Sequence, residues 1–214
     1  MSFQFTFADQ NFLLLPQKAI YWQNEKALIL ADLHLGKTGH FRKQGLAIPA
    51  KSSQKDYSVL ESLMAKHQPI RILILGDLFH SEYNTEWEVF GDFLKKHPSI
   101  NFELVLGNHD ILSAEKYNSI GLKIHGETFV SGNLLFTHYP FKITDENILN
   151  FSGHIHPGVR LEGVGRQAIT MPCFYKKESN FILPAFGSLT GLKILKKEKN
   201  TDIFGVSGDR IFRI

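Results

Sequence analysis

The sequence predicts an α/β fold, and three observations carry that prediction. Compact apolar segments alternate with helix-like segments through the first half. The second half reads mainly as short strands and turns. Five of the apolar segments end abruptly in Asp, Asn or His.

The elements follow in order. Residues 12–15 and 19–22 read as short strands joined by a turn at Pro16, and residues 27–31 form an apolar strand running straight into Asp32. Ser52 or Ser53 caps a predicted helix through His67, with Val59, Leu60, Leu63 and Met64 on its apolar face. Residues 70–75 form a second buried strand ending in Gly76-Asp77. Thr85 caps a helix carrying Trp87, Val89, Phe90, Phe93 and Leu94. Residues 102–106 form a third strand ending in Gly107-Asn108-His109-Asp110, and a short helix follows Ser113. Gly132-Asn133 is a hairpin turn into the strand at 134–137, which ends at His138. Apolar strands alternating with helices predict parallel pairing inside a sheet, and the β-rich tail a second sheet packed on it.

Composition sets the bounds. The chain has 214 residues, 43% hydrophobic and 21% charged, with eighteen Phe to fill a core. No linker, low-complexity tract or repeat interrupts it, so one domain over 1–214 is expected. The net charge of +3 permits an anionic substrate without demanding one. Cys173 is the single cysteine, which excludes an internal disulfide and argues against a cysteine-based zinc site. That agrees with a reducing, cytoplasmic setting. No basic region followed by a long apolar run opens the chain, and no apolar stretch approaches bilayer length, so neither a signal peptide nor a membrane span is expected.

The chemistry gathers at the strand ends. Asp32-Leu33-His34, Gly76-Asp77, Gly107-Asn108-His109-Asp110, His138 and Gly153-His154-Ile155-His156 each follow an apolar strand. Ligand sites in open α/β sheets lie outside the carboxyl ends of strands, so five such ends can converge. Carboxylate, amide oxygen and imidazole without thiolate suit Mn, Fe, Zn or similar divalent ions. A carboxylate shared by two cations holds them roughly 3.5–4 Å apart, and the pair acidifies water and clamps phosphate oxygens.

Taken together and in this order, the five segments resemble the signatures of the calcineurin-like metallophosphoesterase superfamily. The resemblance implies a four-layer α/β/β/α sandwich of two mixed β-sheets. It implies two divalent metal ions, Mn²⁺ first with Fe or Zn compatible. Asp32, His34, Asp77 and His156 would hold one, and Asp77, Asn108, His138 and His154 the other, with Asp77 as bridge. A metal-bridging hydroxide would attack phosphorus. His109 would stabilise the phosphate or protonate the leaving oxygen, and Asp110 would orient the His109 ring.

A narrower resemblance extends almost to the C-terminus. Asp32-Leu33-His34-Leu35-Gly36-Lys37 with Phe41-Arg42, Gly76-Asp77-Leu78-Phe79-His80, and Gly153-His154-Ile155-His156-Pro157 with Arg160 resemble the ligase-associated DNA-damage-response endonucleases. So do Pro172-Cys173-Phe174 and Leu183-Pro184-Ala185-Phe186-Gly187. This implies a phosphodiesterase or endonuclease acting on DNA in damage repair, working beside a DNA ligase, a helicase and an exonuclease. His80 stands where the superfamily often carries another Asp, and is read as a partner that fixes a ligand. Arg42 and Arg160 are the candidate contacts to substrate phosphates.

The same metal chemistry serves a phosphatase or phosphodiesterase for small nucleotides or phosphomonoesters. A non-catalytic scaffold would be expected to have lost ligands, and none is missing. Gly36-Lys37-Thr38 is not a phosphate loop, because Ala31 stands where the earlier glycine is required. His40, His67, His97 and His125 are read as surface or packing residues, and Cys173 as packed rather than reactive. Lys37 and Lys43 divide evenly between phosphate contact and a solvated basic face. Lys193, Lys196, Lys197 and Lys199 are read as a solvated hairpin edge.

Overall fold

The computed structural model describes residues 1–36, 51–79, 85–163, 165 and 167–214. The order is β1 (Phe3–Phe7), β2 (Gln10–Leu15), β3 (Ala19–Trp22), β4 (Ala27–Leu30), α1 (Lys51–His67), β5 (Arg71–Leu75), α2 (Thr85–Lys96), β6 (Asn101–Val105), α3 (Ala114–Ser119) and β7 (Lys123–Ile124). Then come β8 (Thr128–Ser131), β9 (Leu134–Thr137), β10 (Leu149–Ser152), β11 (Pro157–Glu162), β12 (Ala168–Lys177), β13 (Asn180–Ile182), β14 (Lys193–Ile194), β15 (Thr201–Ser207) and β16 (Arg210–Arg213).

Among the described residues the strands form two mixed sheets. The first runs β1-β2-β3-β4-β5-β6-β7, antiparallel as far as β4 and parallel from β4 to β7. The second runs β14-β11-β12-β13-β10-β9-β8, with β15 and β16 joined through β12. Its centre is parallel, β9 to β10 to β13, so the carboxyl ends of β9 and β10 face the same way. The predicted parallel pairing and the second sheet are both present.

The continuous apolar strands are explained by burial on both faces. In β4, Leu28 and Leu30 face a cluster with Leu60, Leu63 and Met64 of α1, Trp87, Phe90, Phe93 and Leu94 of α2, and Tyr117 of α3. Ala27 and Ile29 face the other way, into a cluster between the sheets with Phe136, Phe151, Phe174, Phe181 and Phe204. Each Leu, Ile, Met or Phe side chain among them taken fully out of water contributes about 1.5–3 kcal/mol. All three described helices thus cover the first sheet. A third cluster on the second sheet includes Val159, Met171, Cys173 and Ile203, with Leu195 and Ile214 packed on it.

Several local expectations change. α1 begins at Lys51 and α2 at Thr85, so Ser52, Ser53 and Thr85 stand inside the helices rather than capping them. Val89 is 49% exposed and lies outside the buried face of α2, which is made by Trp87, Phe90, Phe93 and Leu94. β1 was not anticipated, although Phe3, Phe5 and Phe7 alternate with Gln4 and Thr6 and pack on the inter-sheet cluster. The His67 ring packs at a tilt against Tyr21, the His97 ring against Phe93, and His125 pairs with Glu103, so these three histidines have the structural roles expected. His40, Lys37 and Lys43 lie outside the described residues. Cys173 is fully buried, and burial pushes its thiol up to about 12, as a packed residue requires. No described helix is long and apolar enough to cross a membrane.

The Leu183-Pro184-Ala185-Phe186-Gly187 segment has a definite task. Phe186 N–H donates to the Ala31 carbonyl at 2.8 Å and Gly187 N–H to the Asp32 carbonyl at 3.1 Å. A side chain at 187 would overlap the Leu33 carbonyl oxygen. Glycine is therefore needed for the close approach that braces the turn after β4. Gly187→Ala is expected to cost about 1–3 kcal/mol through this overlap. Chemical denaturation checks it: a midpoint unchanged from the parent would show that the segment is no brace.

Candidate metal centre

Five strand ends meet at one edge of the sandwich. β4 ends in Asp32 and His34, β5 in Asp77, and β6 in Asn108 and His109, all from the first sheet. β9 ends in His138 and β10 in His154 and His156, from the second. Asp32, His34, Asp77, His154 and His156 have φ of 55°, 49°, 52°, 66° and 51°, so the chain turns through the left-handed region at each.

The turns are held by backbone pairing and by carboxylates. Asp32 N–H donates to the Gly76 carbonyl at 3.2 Å, His34 N–H to the Asp77 carbonyl at 2.9 Å and Leu35 N–H to the Leu78 carbonyl at 2.8 Å. The Asp32 carboxylate accepts the His154 N–H at 3.1 and 3.0 Å, joining the two sheets. Asp77 Oδ1 accepts the His109 N–H at 3.0 Å. Gly107 leaves no room for a side chain, which would overlap Asp77 Oδ1.

Two groups of side chains could each hold a cation. Asp32, His34 and His156 form one, and Asp77, His138 and His154 the other. Within each group the ligand atoms lie within 4.8 Å of one another. Asp32, His34, Asp77 and His138 are buried, whereas His154 and His156 are partly open. In the first group His34 Nε2 and His156 Nε2 are 3.3 Å apart, and His156 Nε2 is 3.5 Å from Asp32 Oδ1. Asp77 lies between the groups: Oδ2 is 3.8 Å from His34 Nε2, and Oδ1 is 3.4 Å from His138 Nε2.

The donor set itself tests the fit to a cation. His138 Nδ1 is 3.0 Å from the Leu75 carbonyl, which can only accept, so Nδ1 carries the proton and donates. In the neutral ring Nε2 then presents a lone pair. It faces His154 Nδ1 at 3.1 Å, Asn108 Oδ1 at 3.2 Å and Asp77 Oδ1 at 3.4 Å. Lone pairs converging on one point repel unless a cation or proton sits among them. Burial, and then the neighbouring His138, lower the His154 pKa from its ordinary value, which favours the neutral form that metal ligation needs. These residues fit a divalent ion.

Among the other predicted residues, the His109 ring stands edge-on to His34 at 5.6 Å. Asp110 is buried, and the contacts found for it differ from the ring-orienting role. Its carboxylate accepts the N–H groups of Asp77 at 2.7 Å, Gly107 at 2.9 Å and Leu78 at 3.0 Å. It thereby ties the loop after β6 to the loop after β5. Burial pushes its carboxyl up to about 6, the Gly107 N–H opposes the rise, and the Asp77 charge adds to it. Arg160 is exposed on β11, 3.6 Å from Glu162. Arg42 and His80 lie outside the described residues. One residue was missed. Tyr139, next to His138, donates its hydroxyl to Asn108 Oδ1 at 2.9 Å, and adjacency to a predicted ligand was the only signal for it.

The sequence pattern of calcineurin-like phosphoesterases matches residues 26–209, which takes in all five strand ends. The chain belongs to the calcineurin-like phosphoesterase family. As a member it is a metal-dependent phosphoester hydrolase. Its structure is similar to that of the nuclease MPE from Pseudomonas putida, at 26% identity and a TM-score of 0.83, covering 100% of both chains. It is less similar to that of Yfce, a phosphoesterase from E. coli, at 14% identity and a TM-score of 0.45, covering 88% of this chain and 97% of that one. No curated protein matches the sequence.

If Asp110 anchors loops, Asp110→Asn sets an amide NH2 or a weaker acceptor against backbone N–H groups. The expected loss is about 1.5–3 kcal/mol of stability, the range for hydrogen bonds to a charged group. Denaturation in excess chelator reads it without metal. Parent-like stability would return Asp110 to the ring-orienting role.

Proposed function

We propose that this calcineurin-like phosphoesterase is a binuclear, Mn²⁺-dependent phosphodiesterase that cleaves DNA. The observation that carries the reading is Asp77, whose two oxygens reach towards the two ligand groups. Asp32, His34 and His156 would hold one cation, Asn108, His138 and His154 the other, and Asp77 would serve both. When bound, the two ions supply charge for the phosphate oxygens and lower the pKa of water towards neutrality.

The remaining work falls to the chain. His109 is fixed through its N–H to Asp77 and stands beside His34, so its ring is held at the edge of the ligand cluster. There it meets the phosphate and delivers a proton to the leaving oxygen, a step worth about 10²–10⁴-fold. Arg160 lies on β11 three residues past Pro157, about 10 Å along the strand from the turn that carries His156. That distance suits a flanking phosphate of an extended substrate. The likeness to a nuclease over the whole chain supports nucleic acid as that substrate. Repair of DNA damage in the cytoplasm, alongside a ligase, a helicase and an exonuclease, belongs to the same reading, and so does His80 as a partner fixing a ligand.

With Mn²⁺ the protein is expected to hydrolyse a bis-aryl phosphodiester and nicked DNA, and to lose both activities in chelator. Asn108→Ala and His109→Ala each lower kcat by about 10²-fold or more. Arg160→Ala raises KM for DNA but not for the aryl diester. Faster turnover of phosphomonoesters than of any diester would overturn the nuclease reading in favour of a phosphatase.

A further inference from the structure

Tyr139 stands at the candidate centre without belonging to the expected ligand set. It is 42% exposed, yet its ring lies against two candidate ligands, 4.8 Å from the His138 ring and 4.3 Å from the His154 ring. Its hydroxyl donates to Asn108 Oδ1 at 2.9 Å, the same oxygen that faces His138 Nε2 at 3.2 Å.

Asn108 needs such a partner. It is exposed, on a loop, and a side-chain amide turns over a broad range about its last torsion. Only the oxygen face of the amide can ligate a cation, because the NH2 face has no lone pair to give. A phenolic O–H directed at the oxygen favours the orientation that presents it to the cluster and turns the NH2 away. The second lone pair of the oxygen stays available.

Buried polar groups hold Tyr139 in place. The Thr137 hydroxyl donates to the Tyr139 carbonyl at 2.6 Å and lies 3.0 Å from Asn150 Oδ1. Asn150 Nδ2 donates to Asn180 Oδ1 at 3.1 Å. Asn180 in turn clamps the backbone of Phe141, accepting its N–H at 3.2 Å and donating to its carbonyl at 2.6 Å. Thr137 and Asn150 are fully buried. Three polar side chains therefore fix the backbone on both sides of Pro140, and Tyr139 is what that segment delivers to the site.

We propose that Tyr139 is a positioning residue for Asn108, setting the amide so that its oxygen completes the cation site made with Asp77, His138 and His154. This rests on the two-metal reading above, though not on the choice of DNA as substrate. Partners of metal ligands are commonly worth 10–100-fold in metal affinity.

Metal-free parent, Tyr139→Phe and Tyr139→Leu would be titrated with Mn²⁺ by isothermal calorimetry, with electron paramagnetic resonance following pair formation. The parent is expected to take up two ions. Tyr139→Phe keeps the ring against His138 and His154, so it isolates the hydroxyl. One of its two ions is expected to bind about tenfold more weakly, with the other unchanged, and Tyr139→Leu to be weakened at least as much at the same site. Parent-like affinities at both sites in Tyr139→Phe would overturn the proposal. So would weakening confined to Tyr139→Leu, which would assign the effect to ring packing. A parent that takes up no pair of ions would overturn the two-metal reading and this proposal with it, whereas inactivity on DNA with both ions bound would overturn only the substrate.

Discussion

The site depends on the chain leaving its strands through the left-handed region of backbone space. Asp32, His34, Asp77, His154 and His156 all do so. For residues with a side chain this conformation costs roughly 1–2 kcal/mol each. Asp and His tolerate it better than most residues, and β-branched residues tolerate it worst. The cost is offset locally. The loops after β4 and β5 continue side by side beyond the strand ends, through the Asp32, His34 and Leu35 amides and a parallel bridge between Leu35 and Phe79. Strain at a ligand is thus held by pairing that continues the sheet.

The carboxylates serve the fold before they serve any cation. Asp32 takes the His154 amide, Asp77 takes the His109 amide, and Asp110 takes three amides from two loops. These bonds set the loop geometry, so the ligand atoms are gathered in advance. They also bury negative charge, since Asp32, Asp77 and Asp110 are all less than a tenth exposed. Burying carboxylates without a full complement of positive charge costs several kcal/mol per ion. A divalent ion relieves that cost, which ties its binding to the stability of the edge.

The division between what was legible in the sequence and what was not follows from range. A strand ending in Asp-x-His or Gly-Asn-His-Asp is written in consecutive residues, so five strands and their polar ends were readable along the chain. The partners of those ends are not local. Asp110 reaches Leu78 thirty-two positions away, His154 reaches Asp32 across 122, and Gly187 makes room for Leu33 from near the other end of the chain. Arg71, Glu103 and His125 meet only through the β5–β6 register and the turn after β7, with Arg71 also over the Phe129 ring at 4.6 Å. No spacing in the sequence announces such a cluster. β1 differs, because its alternating Phe was visible and passed over.

The site is split between two sheets, so its geometry is a property of the core between them. Asp32, His34, Asp77 and Asn108 ride on the first sheet, while His138, His154 and His156 ride on the second. No covalent path shorter than a loop joins the two sets, and besides the polar contacts at the edge, the sheets are registered by interlocked rings. Phe12 packs on Phe151 at 4.9 Å, Trp22 on Phe136 at 5.6 Å and Phe5 on Phe181 at 5.0 Å. These rings come from strands on opposite sides, and close packing resists sliding because each ring fills a gap left by another. A displacement of about 1 Å at reacting groups is enough to cost on the order of 10²-fold in rate. The aromatic content that first marked the chain as able to fill a core therefore has a second consequence. It sets how far His138 and His154 stand from Asp77, and so whether one carboxylate can serve two ions.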